Sequence, residues 1–251
     1  MDKAYWEGVA DRFDDEVLKI LDRDRNNILS SFISKTSSPK KSVADFGCGN
    51  GSLLPLLSKQ FREVQAIDFS SKLLANAESR CKTYTNITYL QADLASPFHI
   101  RRKVDVLVCV NVIIQPNNEI RDSILQNAVQ SLKRHGTIIL VVPAYESLFH
   151  TYQTIVETNV AVGIKRKKAA TEVEAIFREE VISPIDGIVS LGSAPTKMHT
   201  QIEIQTLLSD IGMKGISTHR IEYDWTEMID NAPESLGGPY PWDWLCVAQK
   251  L

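Results

Sequence analysis

The sequence predicts an α/β fold in which helices cover both faces of a mostly parallel β-sheet. Short apolar runs alternate with helical patterns through most of the 251 residues. The runs are continuously apolar, which is typical of strands buried on both faces. The clearest are SVADF (42–46), VQAID (64–68), ITYLQ (87–91), VDVLVCV (104–110) and TIILVV (137–142). Strands that alternate with helices imply right-handed crossovers, and therefore a doubly wound sheet whose ligand site lies at the carboxyl ends of the strands.

Three segments between these strands carry apolar residues at helical spacing. They read GSLLPLLSKQF, SSKLLANAESRCK and NEIRDSILQNAVQSLKRHG. We expect the third helix to stop at Gly136, because glycine commonly follows the last residue of a helix.

The chain changes character after the fifth apolar run. Residues 144–199 are too many for an ordinary connection, so we expect a lid-like insertion over the site, helical at first and loop-like over ISPIDGIVSLGSAPTK. A further helix, TQIEIQTLLSDIG, should end at Gly212. Two terminal strands, GISTHRIEYDW and WDWLCVAQKL, should then pair antiparallel because turn-forming residues separate them.

Composition limits the class of protein. A chain of 251 residues with 43% hydrophobic content can bury one sizeable core, so we expect one domain over residues 1–251. A net charge of −3 favours neither nucleic acid nor an anionic membrane. The sequence has no apolar segment typical of a secretory signal or a membrane span, which predicts a cytoplasmic protein. The four scattered cysteines predict reduced structural thiols.

A glycine-rich stretch follows the first strand. In VADFGCGNG, glycines at 47, 49 and 51 allow positive φ angles and the close approach of a ligand to the backbone. A dinucleotide loop would need glycine at Ser52, and a P-loop would need a Gly-Lys-Ser/Thr triplet. The alternative without a ligand is a tight turn between strand and helix.

Two aspartates follow the next two strands. Asp68 ends the second strand, where a carboxylate can accept both hydroxyl groups of a ribose. Asp93 follows the third strand and is placed to meet an adenine amino group. For either residue the alternative is a loop aspartate that only caps a helix.

In this order and spacing, VADFGCGNG, AIDFS, QADLA and VCVNVI resemble the class I S-adenosylmethionine-dependent methyltransferases. The resemblance covers residues 40–142, and less strongly 200–250. It implies a seven-stranded sheet of order 3-2-1-4-5-7-6 with the seventh strand antiparallel. It also implies S-adenosylmethionine as the cofactor and S-adenosylhomocysteine as the product.

The resemblance assigns cofactor contacts to the ends of four strands. Asp45 would meet the methionine amino group, Asp68 the ribose, and Asp93 the adenine. Phe69 and Leu94 would form apolar walls around the adenine. The residues implied are Asp45, Gly47, Cys48, Gly49, Gly51, Asp68, Phe69, Asp93, Leu94, Asn111 and Val112.

The segment after the fourth strand excludes two kinds of chemistry. It reads NVIIQP, whereas amino-adenine and glutamine methyltransferases carry an Asn/Asp-Pro-Pro-Tyr tetrad there. Catechol-type enzymes hold a divalent metal with carboxylates at this edge, and the first part of NVIIQPNNE has none. We therefore expect no metal.

Residues for the methyl acceptor should come from the N-terminus and the insertion. Residues 1–35 resemble the helical cap of the family, and Tyr5, Trp6 and Phe13 are candidates for substrate contacts. In the insertion, Tyr145 and Glu146 are further candidates. Packing onto the sheet is the alternative for the cap residues.

Two histidines are candidates for a general base. His150 lies in the insertion and His199 just precedes the next helix. A histidine can take a proton from a hydroxyl acceptor near neutral pH. For each of them the alternative is a structural hydrogen bond or a helix cap.

Three functions remain open on these observations. The first is a methyltransferase that acts on an oxygen or nitrogen of a small molecule, as a monomer or homodimer. The second is a protein or RNA methyltransferase, for which the basic run IKRKK (164–168) is the one local signal. The third is a non-catalytic binding protein that keeps the methyltransferase fold.

Overall fold

A seven-stranded sheet forms the centre of the molecule in the computed structural model, which describes residues 3–13, 19–191, 194–229 and 232–251. Its strand order is β3-β2-β1-β4-β5-β10-β9, with a separate three-stranded sheet β6-β7-β8. The strands are β1 (Ser38–Phe46), β2 (Phe61–Asp68), β3 (Ile87–Gln91), β4 (Val104–Val110), β5 (Leu132–Pro143), β6 (Val181–Ser183), β7 (Ile188–Leu191), β8 (Ala194–Lys197), β9 (Met213–Glu222) and β10 (Trp242–Lys250).

Helices cover both faces of this sheet. They are α1 (Lys3–Val9), α2 (Ile20–Arg23), α3 (Ile28–Thr36), α4 (Leu54–Gln60), α5 (Ser71–Arg80), α6 (Asn118–Ser131), α7 (Tyr145–Ala161), α8 (Arg166–Glu180) and α9 (Gln201–Asp210). Side chains alternate along β1, so Phe46 joins the core under α6 and α9 while Val43 joins the core under α3 and α4. The doubly wound architecture is therefore confirmed.

The expected strand order is confirmed as well. The two strands after α9 are β9 and β10, and β10 pairs antiparallel with both β5 and β9. They correspond to the sixth and seventh strands of the expected order, since β6 to β8 form the separate sheet. Gly212 follows α9 with a φ of 84°, as expected for a glycine that ends a helix.

The prediction that the third helix stops at Gly136 was wrong. α6 stops at Ser131, and β5 begins at Leu132 instead of after Gly136. Leu132 is fully buried and pairs with Val104, and Lys133 binds the carboxylate of Asp105. These contacts with β4 outweigh the local helical pattern, because tertiary packing routinely overrides weak helix propensity.

The expectation of a loop at residues 182–197 was also wrong. Strands β6, β7 and β8 form an antiparallel sheet there, after the two helices of the insertion. Val181, Val189 and Met198 pack with Tyr145 into a small core of their own. Each strand has only three or four residues, so the alternation was too short to recognise in the sequence.

Residues 14–18 of the predicted cap lie outside the described residues. Among those that are described, no helix is both long and apolar enough to cross a bilayer.

Two glycines with nearly equal φ angles allow packing to be separated from backbone strain. Gly51 has φ 82° and Gly212 has φ 84°. A Cβ on Gly51 would lie 2.9 Å from Cβ of Ala77, whereas a Cβ on Gly212 meets open space. Both alanine variants should lose about 1–2 kcal/mol through strain, and Gly51→Ala should lose about 1–3 kcal/mol more through the clash with α5. Urea unfolding measures both, and equal losses would contradict this account of Gly51.

Candidate active site

The site lies where β1, β2 and β4 end. Asp45 on β1 stands between Ala66 of β2 and Val108 of β4 in the sheet register. The chain then turns tightly, because the amides of Gly47 and Cys48 both donate to the carbonyl of Ile67, at 2.8 and 3.0 Å. This turn holds the glycine stretch over the end of β2.

The three glycines of this stretch face three different neighbours. All have positive φ angles, at 71°, 54° and 82°. A Cβ on Gly47 would clash with the side chain of Val112, and one on Gly49 would lie 2.8 Å from the ring of Phe13. Gly51 instead lets α5 approach, as described above. Gly47 and Gly49 therefore border the space above the loop, while Gly51 serves helix packing.

Asp68 is held rigidly by the same turn. Its Oδ2 accepts the amide of Gly49 at 3.0 Å, and its Oδ1 accepts the amide of Ser70 at 2.9 Å. Burial raises the pKa of this carboxyl although both amides lower it. A carboxylate has about four acceptor positions, so two remain for hydroxyl groups of a ligand.

Two of the buried oxygens that lack a hydrogen-bond partner among the described residues lie at this site. They are Oδ2 of Asp45, whose residue is 2% exposed, and Oδ1 of Asn111, which has a φ of 54°. Burial, and then the charge of Asp68, raise the pKa of Asp45 to about 7. Buried polar atoms are almost always paired, so two unpaired acceptors indicate a ligand that brings N–H or O–H donors.

Both residues line the same cavity, which has a volume of about 70 Å³. A second cavity of about 240 Å³ shares Lys19, Leu21 and Ser52 with it. The first is lined by Phe13, Lys19, Ile20, Leu21, Leu29, Asp45, Gly47, Cys48, Gly49, Asn50, Ser52, Leu53, Val110 and Asn111. It is smaller than the roughly 300–1,000 Å³ of typical ligand pockets, because the ring of Phe13 fills the space over Gly49.

The N-terminal segment 3–13 carries Phe13 to this position. Glu7 accepts the amide of Ser71 at 2.9 Å, and Asn76 donates to the carbonyl of Ala10 at 3.2 Å. The ring of Trp6 packs against Phe13 at 5.9 Å and against Tyr5 at 5.2 Å. The three aromatic residues of the predicted cap thus form one cluster, and Phe13 faces the cavity of the glycine loop.

The residues expected around the adenine lie beside β3. Asp93 is exposed, and its two oxygens accept the amide of Ala95 and the hydroxyl of Ser96, both at 2.9 Å. Leu94 is buried in the core under α6, and Phe69 is half-buried. Asp93 therefore caps its own turn in this structure, and the adenine role of all three residues stays a prediction.

His199 is fully buried and holds the loop after β4. Its Nε2 donates to the carbonyl of Ile113 at 3.0 Å, so the lone pair is on Nδ1, 3.7 Å from Oε2 of Glu203. Burial lowers the pKa of His199 to about 4. Next to it the amide of Lys197 donates to Ile114 at 2.8 Å. This placement supports a structural role for His199 and does not support a general base.

The other insertion candidates make anchoring contacts. His150 donates through Nε2 to the carbonyl of Pro239 at 2.7 Å. Glu146 accepts the amide of Gln201 at 2.8 Å and the indole of Trp244 at 3.0 Å, so it joins α7 to α9 and β10. Tyr145 donates to the carbonyl of Pro184 at 3.0 Å. Their catalytic or substrate roles stay predictions, and Nδ1 of His150 carries a lone pair because Nε2 is the donor.

Sequence reasoning missed the segment that closes the cavity from the other side. Lys19, Ile20, Leu21 and Leu29 come from α2, α3 and the residue before α2. The available signal was Lys19 directly before the apolar pair Ile20 and Leu21. Because α2 is only four residues long, it is too short to show a helical repeat of apolar residues.

The model of a methyltransferase domain family matches residues 43–136. The matched segment runs from β1 past α6 and contains the glycine stretch, Asp68 and Asn111. The sheet order is that of the expected family. The chain therefore contains a methyltransferase domain over residues 43–136, in the fold of the class I S-adenosylmethionine-dependent methyltransferases.

Solved methyltransferases share the whole fold. Magnesium protoporphyrin IX methyltransferase from Synechocystis PCC 6803, with bound S-adenosylhomocysteine, superposes with a TM-score of 0.61 at 18% identity over 100% of both chains. N-methyltransferase NodS from Bradyrhizobium japonicum WM9, also in complex with S-adenosylhomocysteine, gives 0.61 at 11% identity and covers 98% of each chain.

A methyltransferase from Methanosarcina mazei gives a TM-score of 0.58 at 18% identity, over 88% of this chain and 97% of that one. At these identities the likeness establishes the fold. No significant match to a curated protein sequence is found.

The buried imidazole of His199 should make this methyltransferase sensitive to acid. Its pKa is about 4 in the folded state and about 6.5 when unfolded, so the unfolded chain binds the proton more readily. The stability that His199 contributes is therefore present above pH 6.5 and is lost as the pH falls toward 4, at up to about 1.4 kcal/mol per pH unit.

His199→Gln should lose this part of the pH dependence, because its amide can still donate to Ile113 but does not titrate. Urea unfolding of both proteins from pH 7 to 4 compares the slopes. The charged groups that face the ring, Glu203, Lys197 and Arg121, are the same in both proteins. If the free energies of unfolding of the two proteins fell in parallel with pH, His199 would not be the source of the acid sensitivity.

Proposed function

We propose that this methyltransferase transfers a methyl group from S-adenosylmethionine to an oxygen or nitrogen atom of a small molecule. The observation that carries the proposal is the pair of buried oxygens without donors, on Asp45 and Asn111, beside a glycine loop and the acceptor positions of Asp68. These features suit the polar parts of the donor molecule, which are the amino group and the carboxylate of its methionine part and the hydroxyl groups of its ribose.

The amino group of the methionine part fits the two unpaired oxygens. A protonated amine brings three N–H donors and a positive charge, which satisfies both acceptors and keeps Asp45 ionised. Lys19 lines both cavities next to this position and suits the carboxylate of the same amino acid. Asp68, with two acceptor positions left, suits the ribose hydroxyls.

When bound, S-adenosylmethionine supplies an electrophilic methyl group on a positively charged sulfur. The residues of this chain then have to orient the acceptor and exclude water, because alignment of the reacting atoms carries much of the rate. Val112 contacts the loop at Gly47, so it lies on the wall next to the methionine part. Phe13 must leave the space over Gly49 for the donor to enter, which couples binding to a movement of the Phe13 side chain.

The insertion supports an enclosed acceptor site. Its return segment donates to the carbonyls of Ile113 and Ile114 through His199 and Lys197, so the lid is fastened to the loop next to the donor cavity. An enclosed site suits a small molecule better than a chain of RNA or protein. The magnesium protoporphyrin IX enzyme, which has the same fold over its full length, has a small-molecule acceptor in its name.

The basic run at 164–168 gives weaker support to an RNA acceptor. Arg166 pairs with Glu157 at 2.6 Å, and Lys168 lies 3.7 Å from Glu172. Part of the positive charge is thus neutralised by the insertion itself. Single-stranded RNA sites also interleave aromatic side chains with the charges, and this run has none.

Proton removal from the acceptor is left to His150 or to solvent. Because Nε2 of His150 donates to Pro239, its Nδ1 carries the lone pair. An amine or ionised oxygen acceptor needs no such base, which is consistent with the neutral, buried His199.

Donor binding should depend on pH through Asp45. Its folded pKa of about 7 means that the carboxyl must lose a proton to bind a protonated amine. The affinity for S-adenosylhomocysteine should therefore fall as the pH drops below 7, by up to about tenfold per pH unit. Calorimetric titration between pH 5.5 and 8 measures it.

Asp45→Asn is the matched control for this titration, since it keeps the shape and removes the titrating group. The variant should bind more weakly and with a flatter pH profile, although Asp68 still titrates in both proteins. An unchanged pH dependence in the variant would show that Asp45 does not hold the amine.

The reaction itself is tested with S-adenosylmethionine that carries a labelled methyl group, incubated with cell extract and the protein. Label should appear in the small-molecule fraction and disappear with Asp68→Ala, which should weaken S-adenosylhomocysteine binding by at least about tenfold.

Each other outcome rejects a part of the proposal. Label in protein or RNA would replace the small molecule by a macromolecular acceptor. Binding without label in any fraction would favour the non-catalytic alternative. Folded protein without binding would reject the donor. A melting curve of Asp68→Ala separates lost binding from lost folding.

A further inference from the structure

The loop between β4 and α6 borders the donor cavity but has no regular structure of its own. Residues 111–117 belong to no helix or strand. The unpaired oxygen of Asn111 lies at the cavity, and the side chain of Val112 packs against Gly47. The positions of these two side chains therefore depend on what holds the loop from outside.

The sheet fixes the first residue of this loop. The amide of Asn111 donates to the carbonyl of Val141 on β5 at 3.0 Å. Asn111 has a φ of 54°, which asparagine adopts more readily than most residues but still at a cost in free energy. Such a conformation persists only where the surrounding structure enforces it, so the rest of the loop must also be held.

Four consecutive carbonyl groups hold the rest of the loop. Those of Ile113 and Ile114 accept the donors from the insertion, as described for the active site. Those of Gln115 and Pro116 both accept Nη1 of Arg121, at 2.8 Å for Pro116. All four carbonyls are thus bound by groups outside the loop.

Arg121 lies in the first turn of α6 and is almost fully buried. The residue is 6% exposed, and its Nη2 donates to Oδ1 of Asn118. Among the described residues its guanidinium donates to no carboxylate. Burial of a cation without an ion-pair partner costs free energy. A guanidinium is suited to such a place where its planar fork joins several acceptors, as it does here.

We propose that Arg121 is a positioning residue for binding of the methyl donor. It lines neither cavity described above, so it acts through the loop. By holding the carbonyls of Gln115 and Pro116, it keeps the loop from relaxing and keeps the oxygen of Asn111 directed at the amino group of the methionine part. The inference rests on the donor assignment of the proposed function.

A purely structural role of Arg121 predicts a different result. If Arg121 only stabilised the start of α6, its loss would lower the melting temperature and leave the donor affinity of the folded protein unchanged. A positioning residue changes the affinity, and it does so only while Asn111 is present. The dependence on Asn111 therefore separates the two roles.

Lys250 provides the matched control at the other end of α6. Its Nζ donates to the carbonyls of Val129 and Leu132, at 2.6 and 3.0 Å. It is also a cation that binds two backbone carbonyls, but at the edge of the sheet opposite the donor site. Lys250→Met should therefore lower the melting temperature without changing the affinity for S-adenosylhomocysteine.

Calorimetric titration with S-adenosylhomocysteine tests the positioning role. Arg121→Met should raise the dissociation constant by about tenfold, as expected when one hydrogen bond to a charged amine is lost. Asn111→Gly removes the oxygen but tolerates the positive φ, and it should raise the constant by about as much. The double variant should also stay at about tenfold instead of about a hundredfold, because both changes remove the same contact.

Melting curves of every variant show whether it is folded. If Arg121→Met does not fold, Arg121→Lys takes its place, since it keeps the cation but cannot join both carbonyls and Asn118 at once. An unchanged affinity in a folded Arg121 variant, an equal loss in Lys250→Met, or additive losses in the double variant would overturn the positioning role. A wild-type protein that does not bind S-adenosylhomocysteine would instead reject the proposed function, and this inference with it.

Discussion

The buried carboxylate of Asp45 is the constraint on which the site depends. It sits on the central strand between β2 and β4, and one of its oxygens has no donor among the described residues. Its pKa is raised because desolvation and the charge of Asp68 both oppose ionisation. A protein tolerates a buried carboxylate oxygen without a donor where a bound ligand supplies that donor. The rest of the site can be understood as the set of contacts that hold this pocket in shape.

Two separate parts of the chain hold the walls of the pocket. The tight turn through Gly47 and Cys48 fixes the glycine loop on Ile67, and Asp68 fastens the same loop through the amide of Gly49. On the opposite side, the insertion fastens the loop after β4 through Lys197 and His199. The loop between β4 and α6 is thus held by contacts with the return segment of the insertion.

The family and the main sheet could be predicted because they follow from short-range patterns. β3 and β4 have the bounds that their apolar runs predicted, and the glycine stretch with Asp68 lies at the strand ends as expected. The roles of the individual candidate site residues were less predictable. His199 and Glu146 have the residue types of functional groups, yet their structural contacts are with partners elsewhere in the fold. Asp93 accepts hydrogen bonds within its own turn. Lys19 was overlooked because only packing brings it to the cavity.

The sequence by itself determined the strand order of the main sheet and the kind of donor, because these depend on hydrophobic period and on residues close together in the chain. Only the tertiary structure decided that α6 ends at Ser131, that β6, β7 and β8 form a sheet, and that Phe13 covers Gly49. It also decided that His199 is buried and neutral. These outcomes depend on contacts between distant segments, and a local pattern does not contain the free energy of such contacts.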